Sequence, residues 1–232
     1  MSEDGKRAAG EHAATLVQDG MVVGLGTGST VFYLLAALGR RVREAGLRLT
    51  GVPTSAATAA LAVEHCIPLA DGIPPMDLAL DGADEIETGT LRLIKGRGGA
   101  LLREKIIAEA SRRFIALADD SKLVMGLGAT DFLPVEIDAF AREAALRRIA
   151  AMGGAPVVRQ TADGQEFHTD GGHLILDCAG FGRLRDPFTL ERSLRAIAGV
   201  IGTGLFLLPV EQAIIGAADG GVQVLRSHAA WR

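Results

Sequence analysis

Met76-Asp77-Leu78-Ala79-Leu80-Asp81-Gly82-Ala83-Asp84-Glu85-Ile86 is the stretch on which the reading of the fold turns. Its largely apolar first half, Met76 to Leu80, has the length and composition of a buried strand, and two carboxylates three residues apart follow at that strand's carboxyl end. In open α/β sheets the crevice beyond the carboxyl ends of parallel strands is where ligands bind, so acids there have a chemical reading beside the structural one. Lys95-Gly96-Arg97-Gly98-Gly99-Ala100 and Glu104 come shortly after. A candidate base, a cation and two acids thus share one strand-loop-strand-loop-helix stretch.

Outward from it, elements alternate. Helices are predicted at Lys6 to Val17, Thr30 to Ala45, Ser55 to Glu64 and Ala100 to Ser111. Strands are predicted at Met21 to Leu25, Arg48 to Val52, Leu91 to Ile94 and Phe114 to Ala118. This βαβα order predicts an α/β fold, a Rossmann-like and mostly parallel sheet covered on both faces. From about Leu133 the order changes to strand Pro134–Ile137, helix Ala139–Met152, strands Pro156–Arg159 and His173–Cys178, helix Leu190–Ile197 and strand Gly204–Leu208. That is the β-α-β-β-α-β unit of a smaller inserted α+β domain. The expected division is residues 1–128 and 205–232 against 129–204, with Gly202-Thr203-Gly204 as the return point, Ala213 to Leu225 carrying further strands back onto the first sheet and Asp163-Gly164 forming a hairpin turn.

A chain of 232 residues, 48% hydrophobic, with 30 glycines and only 4% aromatic residues, has the composition of an α/β enzyme rather than a disordered segment. A net charge of −4 without a basic stripe or stacking aromatics argues against nucleic acid as a partner. Apolar runs such as Leu205 to Val210 fall far short of the roughly 20 residues needed to span a bilayer, and no basic-then-apolar leader opens the chain, so no membrane role and a cytoplasmic location are expected. Cys66 and Cys178 lack metal or redox spacing and read as small buried residues.

Gly24-Leu25-Gly26-Thr27-Gly28-Ser29-Thr30 lies between a strand and a helix. Glycines allow close backbone approach, and Ser29 and Thr30 offer hydroxyls at the positive end of a helix. It lacks the third glycine of a dinucleotide fingerprint and the Gly-Lys-Ser/Thr of a Walker loop, which leaves a monophosphate or small-anion site or a plain capped turn. Asp81 and Asp84 read as paired acids whose repulsion would raise one pKa, as turn and solvated loop residues, or, with Glu85 and Glu87, as Mg²⁺ ligands. Glu104 lies nearly opposite a stripe of Leu102, Ile106 and Ala110, so periodicity alone places it away from the core; the helix start should favour its ionised form. The Gly96 to Gly99 loop offers N–H groups suited to an oxyanion, with Lys95 as an added cation. Lys122 reaches the same rim from Asp119-Asp120-Ser121-Lys122, and Lys6 is a further cation. His168, Asp170 and His173 read as hairpin polarity.

Taken together, Gly26-Thr27-Gly28-Ser29-Thr30, Asp81-Gly82-Ala83-Asp84-Glu85, Lys95-Gly96-Arg97-Gly98-Gly99-Ala100, Arg103-Glu104-Lys105-Ile106 and Asp119 to Lys122 resemble the A-type ribose-5-phosphate isomerases over Lys6 to about Leu225. The resemblance implies a cofactor-free aldose-ketose isomerase of the nonoxidative pentose phosphate pathway acting on a sugar phosphate, a homodimer or dimer of dimers. It implies Glu104 as general base, Asp81 and Asp84 as the acidic pair, and Lys95, Gly96, Arg97 and Gly98 as the cationic loop. It also implies substrate binding by Thr27, Gly28, Ser29, Thr30, Gly82, Ala83, Lys122 and Lys6. Arg97 stands where glycine is also usual, and the tail from Arg226 has no assigned role. Other sugar-phosphate enzymes, a CoA transferase with a glutamate nucleophile, and a silent sugar-phosphate sensor are the competing readings.

Overall fold

The computed structural model describes residues 2–130 and 132–226; the end of the tail lies outside them. Helix α1 (Glu3–Ala14) starts where the Ser2 hydroxyl accepts from Gly5 N–H and Glu3 and Asp4 meet the helix's positive end. Then follow β1 (Met21–Leu25), α2 (Ser29–Ala45), β2 (Leu49–Pro53), α3 (Ala56–Glu64), β3 (Leu78–Gly82), β4 (Glu85–Glu87), β5 (Leu93–Ile94), α4 (Leu101–Ala110) and β6 (Phe114–Asp119). A 3₁₀ turn at Asp120–Lys122 leads to β7 (Leu123–Val124), β8 (Leu133–Ile137), α5 (Arg142–Ala151), β9 (Ala155–Val158), β10 (Leu174–Ala179), α6 (Pro187–Arg195), β11 (Val200–Thr203), β12 (Leu205–Phe206), β13 (Gln212–Gly216) and β14 (Val222–Arg226).

The main sheet has the order β14-β13-β6-β3-β1-β2. It is parallel from β2 to β13, with β14 added antiparallel at the edge. Side chains alternate between its faces. Ile115 and Leu117 of β6 pack with Leu34, Leu35 and Leu38 of α2, while Phe114, Ala116 and Ala118 pack with Ile107 of α4 and Phe206. Because β2 lies on one side of β1 and β3 on the other, the chain reverses its direction of winding between β1 and β3. Leu25, the last residue of β1, is in register with Leu80, two residues before the end of β3, which makes the space beyond them the ligand crevice of such sheets.

The second sheet, β11-β8-β10-β9, is antiparallel and buries Val135, Ile137, Leu174 and Leu176 with Ala145, Ile149 and Leu194 of its helices. The β-α-β-β-α-β expectation therefore describes it, but its fourth strand is Val200–Thr203, not Gly204–Leu208. Gly204 is the crossover, its N–H donating to Pro134 O of β8 (2.7 Å) and its C=O accepting from Lys95 N–H (2.9 Å), after which β12 pairs with β5 in a third sheet, β12-β5-β4-β7. The helix expected at Ala139–Met152 is broken into a 3₁₀ turn at Ala139–Ala141, with Asp138 accepting from Phe140 N–H, and α5. Helix α6 begins at Pro187 behind an Asp186 cap, not at Leu190, and the short strands β4 and β7 were not foreseen. Cys178 is buried as expected, whereas Cys66 is exposed.

Leu35 is fully buried between α2 and the main sheet. Leu35→Ala is expected to lower unfolding stability by about 2–5 kcal/mol, read as a lower urea midpoint at unchanged slope.

Candidate active site

The loop after β1 is built by close approach. Gly26 N–H donates to Leu80 O (2.9 Å), and a Cβ at Gly26 would lie 2.0 Å from Asp81 Oδ1, so no larger residue fits. The next N–H, of Thr27, donates to Asp81 Oδ1 (3.1 Å). The Thr27 hydroxyl lies 2.7 Å from Thr54 Oγ1, 2.8 Å from Ser55 Oγ and 3.0 Å from Thr58 Oγ1. It is thereby tied to the β2–α3 connection. No side chain caps α2, and its first turn, with exposed Ser29 and buried Thr30, leaves backbone donors for an anion.

At the end of β5, Lys95 is 1% exposed. Its Nζ donates to Gly82 O and lies 3.0 Å from Asp81 Oδ2 and 3.5 Å from Glu104 Oε1. Burial works against the ammonium, but Asp81 and then Glu104 outweigh it and hold the lysine above its ordinary value. Asp81 accepts from Gly82 N–H (2.7 Å) as well as from Thr27, yet burial still raises its carboxyl. Glu104, 3% exposed, is pushed up to about 8, first by burial and then by the charge of Asp81, with Lys95 offsetting part. Two carboxyls thus share one lysine, and near neutrality Glu104 keeps its proton. The helix start does not win, contrary to the expectation that it favours the ionised form. The repulsion also runs between Asp81 and Glu104 rather than between Asp81 and Asp84.

A cavity of about 300 Å³ opens here, lined by Lys6, Thr27, Gly28, Ser29, Thr30, Gly82, Ala83, Asp84, Lys95, Gly96, Arg97, Gly98, Glu104, Asp119 and Lys122. All of these but Asp119 were anticipated from the sequence. Asp81 alone of the anticipated set lies behind the wall, in contact with Lys95. Asp84 lines the cavity and accepts from Arg97 N–H (3.0 Å), which removes that amide from the donors expected of the loop. Gly98 N–H has no acceptor among the described residues.

Several features escaped the sequence reading. Asp119, buried at the end of β6, accepts from Ser121 N–H (3.1 Å) at the turn that carries Lys122. The Thr54, Ser55 and Thr58 hydroxyls have no motif. Glu85 is not available to a metal, because its carboxylate accepts from Gly128 N–H (2.6 Å) and Thr130 N–H (2.8 Å). Asp170 is more than hairpin polarity, since it accepts from Ala56 N–H (2.7 Å) at the start of α3 and from Arg103 (3.1 Å). The stripe Leu102, Ile106 and Ala110 is also not the packed face of α4. The helix buries Leu101, Glu104, Lys105, Ile107 and Ala108, and the mixed composition of that face hid it.

An acid–base cluster at the switch point of a parallel sheet, beside an uncapped helix start and two lysines, defines an α/β protein equipped for proton transfer on an anionic ligand. A sequence profile for ribose 5-phosphate isomerase A (phosphoriboisomerase A) matches residues 50–220. Ribose-5-phosphate isomerase A of Methylorubrum extorquens is 51% identical over 231 residues, covering 96% of each chain, and that of Roseiflexus sp. (strain RS-1) is 50% identical over 222 residues, covering 94% of each. The solved structure of ribose 5-phosphate isomerase A from Methanocaldococcus jannaschii superposes with TM-score 0.90 at 39% identity, covering 96% of this chain and 98% of that one. A second, in complex with phospho-erythronic acid, gives 0.90 at 36%, covering 95% and 97%. The chain belongs to the ribose 5-phosphate isomerase A family.

A carboxyl raised from 4.5 to about 8 binds its proton more tightly in the folded than in the unfolded chain. Folding stability attributable to Glu104 is therefore undiminished below about pH 4.5 and falls as pH rises toward 8, by roughly 1 kcal/mol for each pH step in that interval. Glu104→Gln is expected to melt at a higher temperature than wild type at pH 8.5, with the difference shrinking toward pH 5; a pH-independent difference would contradict the raised carboxyl.

Proposed function

We propose that the protein interconverts ribose 5-phosphate and ribulose 5-phosphate by proton transfer through a cis-enediolate. The observation that carries the proposal is the buried Asp81–Lys95–Glu104 cluster in a cavity that also offers the start of α2, Lys6 and Lys122 to a phosphate.

In this reading the ionised form of Glu104 takes the C2 proton. The C2–H pair becomes the C1=C2 bond, and the carbonyl pair moves to O1. Lys95 and Gly98 N–H meet the developing charge, a kind of interaction worth roughly 3–4 kcal/mol per well-placed donor. Protonated Glu104 then returns the proton to C1 as C2=O forms. Asp84, which lines the cavity, relays protons between O1 and O2 and assists ring opening. Asp81, behind the wall, keeps Lys95 charged and sets the basicity of Glu104.

No helix among the described residues is long and apolar enough to cross a membrane, and a cytoplasmic site of action fits a sugar phosphate. In this reading residues 2–128 with 205–226 form the catalytic unit and 129–204 a smaller one; residues 227–232 of the expected division lie outside the described residues. Exposed Phe140, Val157 and Phe188 on the latter favour assembly as a homodimer or dimer of dimers, which light scattering tests.

In deuterated water, ribose 5-phosphate is expected to give ribulose 5-phosphate carrying deuterium at C1, followed by NMR; no conversion sinks the proposal. Glu104→Gln is expected to lower kcat by about 10²–10⁴-fold. Wild-type kcat/KM should rise with pH to an inflection near 8, where Glu104 ionises. In Asp81→Asn the inflection should move to lower pH, because the neighbouring negative charge is gone. An inflection that stays in place would remove Asp81 from this role.

A further inference from the structure

The Gly96–Gly98 loop is held from outside the main sheet. Arg159, immediately after β9, has a side chain only 9% exposed. Its Nη1 donates to both Gly96 O (2.9 Å) and Arg97 O (3.0 Å), and its Nε donates to Asp177 Oδ2 (2.9 Å) on the adjacent strand β10. The guanidinium lies 5.7 Å from the centre of the Phe132 ring and 5.8 Å from that of Phe167. Phe167 also packs against Gly99, where a Cβ would lie 2.3 Å from its ring and where φ is +83°. Glycine is required there on both counts. Arg159 does not line the cavity.

The two carbonyls that Arg159 holds belong to two particular peptide groups. Gly96 C=O shares a rigid plane with Arg97 N–H, which donates to Asp84. Arg97 C=O shares one with Gly98 N–H, the amide without an acceptor among the described residues. A cation bonded to a peptide carbonyl fixes the direction of the N–H across that plane and polarises it into a stronger donor. Arginine keeps its charge at all working pH values and presents several donors in a fixed fork, and Asp177 holds the fork in place.

Resting on the isomerase reading above, we propose that Arg159 is a positioning residue for the reaction. From the smaller unit it orients and polarises the Gly98 amide toward the enediolate oxygen and locks the Arg97 amide onto Asp84. Because the charge on that oxygen exists only on the way through the enediolate, the contribution falls on kcat more than on substrate binding.

The test measures kcat and KM for ribose 5-phosphate, and the dissociation constant of phospho-erythronic acid, in wild type, Arg159→Met, Arg159→Lys, Asp177→Asn and a control, Arg142→Met, that breaks the half-buried Arg142–Glu166 ion pair instead. The expected result for Arg159→Met is a kcat lower by about 10-fold or more with KM within about threefold. Affinity for phospho-erythronic acid, whose carboxylate places charge where the enediolate does, should fall in parallel. Arg159→Lys should recover part of both losses, and Arg142→Met should match wild type. A folded Arg159→Met with wild-type kcat, or a loss confined to KM, overturns the proposal. If Arg159→Met does not fold, Arg159→Lys and Asp177→Asn decide: both are expected to lose kcat several-fold, and wild-type kcat in both overturns it. A wild type inactive on ribose 5-phosphate overturns the function itself, an outcome distinct from an active enzyme indifferent to position 159.

Discussion

Everything at the site depends on one buried ammonium. Removing a charge from water costs several kcal/mol even after relaxation, and only close partners offset that. Lys95 finds them on three separate elements. Gly82 O and Asp81 come from the end of β3, Glu104 from α4, and the Phe206 ring, 5.4 Å away, from β12. A second buried lysine, Lys105, lies 5.1 Å from the same ring and donates to Thr203 O (2.9 Å). Strand β12 is where the chain returns from the second sheet. The return is thus packed against the same lysine that equips the site, and loss of any partner of Lys95 leaves the others in a cluster that no longer balances.

The parallel sheet brings those partners together without long-range coincidence. Strands β1 and β3 are neighbours in register, so the loops at their carboxyl ends meet. One loop carries the start of α2 and the other carries two acids. The excursion through β4 and β5 folds back against that edge, with Asp84 N–H donating to Ile94 O (2.8 Å) and Lys95 N–H to Gly204 O (2.9 Å). Positions far apart in sequence become adjacent because each ends a strand.

Strand order therefore decides which parts were legible in the sequence. Strand runs such as Phe114 to Asp119 and the glycine-rich turn before α2 carry local signals, and the acids at Asp81 and Asp84 follow an apolar run at once. Glu104 was legible only through its setting, since its own helix shows a misleading apolar stripe. Arg159, Asp170 and the Thr54–Ser55–Thr58 hydroxyls were opaque for a different reason. Each acts across a boundary between segments, 62 residues in the case of Arg159 and Arg97, and a lone arginine in a hairpin carries no periodicity. The return point is legible in Gly202-Thr203-Gly204, but a local run does not show which sheet the next strand joins, so Gly204 to Leu208 reads as the last strand of the β-α-β-β-α-β unit although β12 pairs with β5.

The protonation of the cluster bears on why two carboxyls are set against one lysine. A base taking a proton from carbon is hindered by the gap between its own basicity and that of the carbanion it creates, and a carboxylate with the ordinary glutamate pKa is a weak match. Burial beside Asp81 raises Glu104 to about 8, which narrows the gap. The cost is that only about a tenth of the empty sites hold Glu104 ionised, the form the proposed reaction needs, at pH 7. The two effects oppose each other, and their product is greatest when the pKa lies near the working pH. The same desolvation that raises Glu104 strengthens the attraction of Lys95 for an enediolate. In the proposed mechanism one physical circumstance, burial of two acids around one positive charge, therefore supplies both the stronger base and the stronger oxyanion partner.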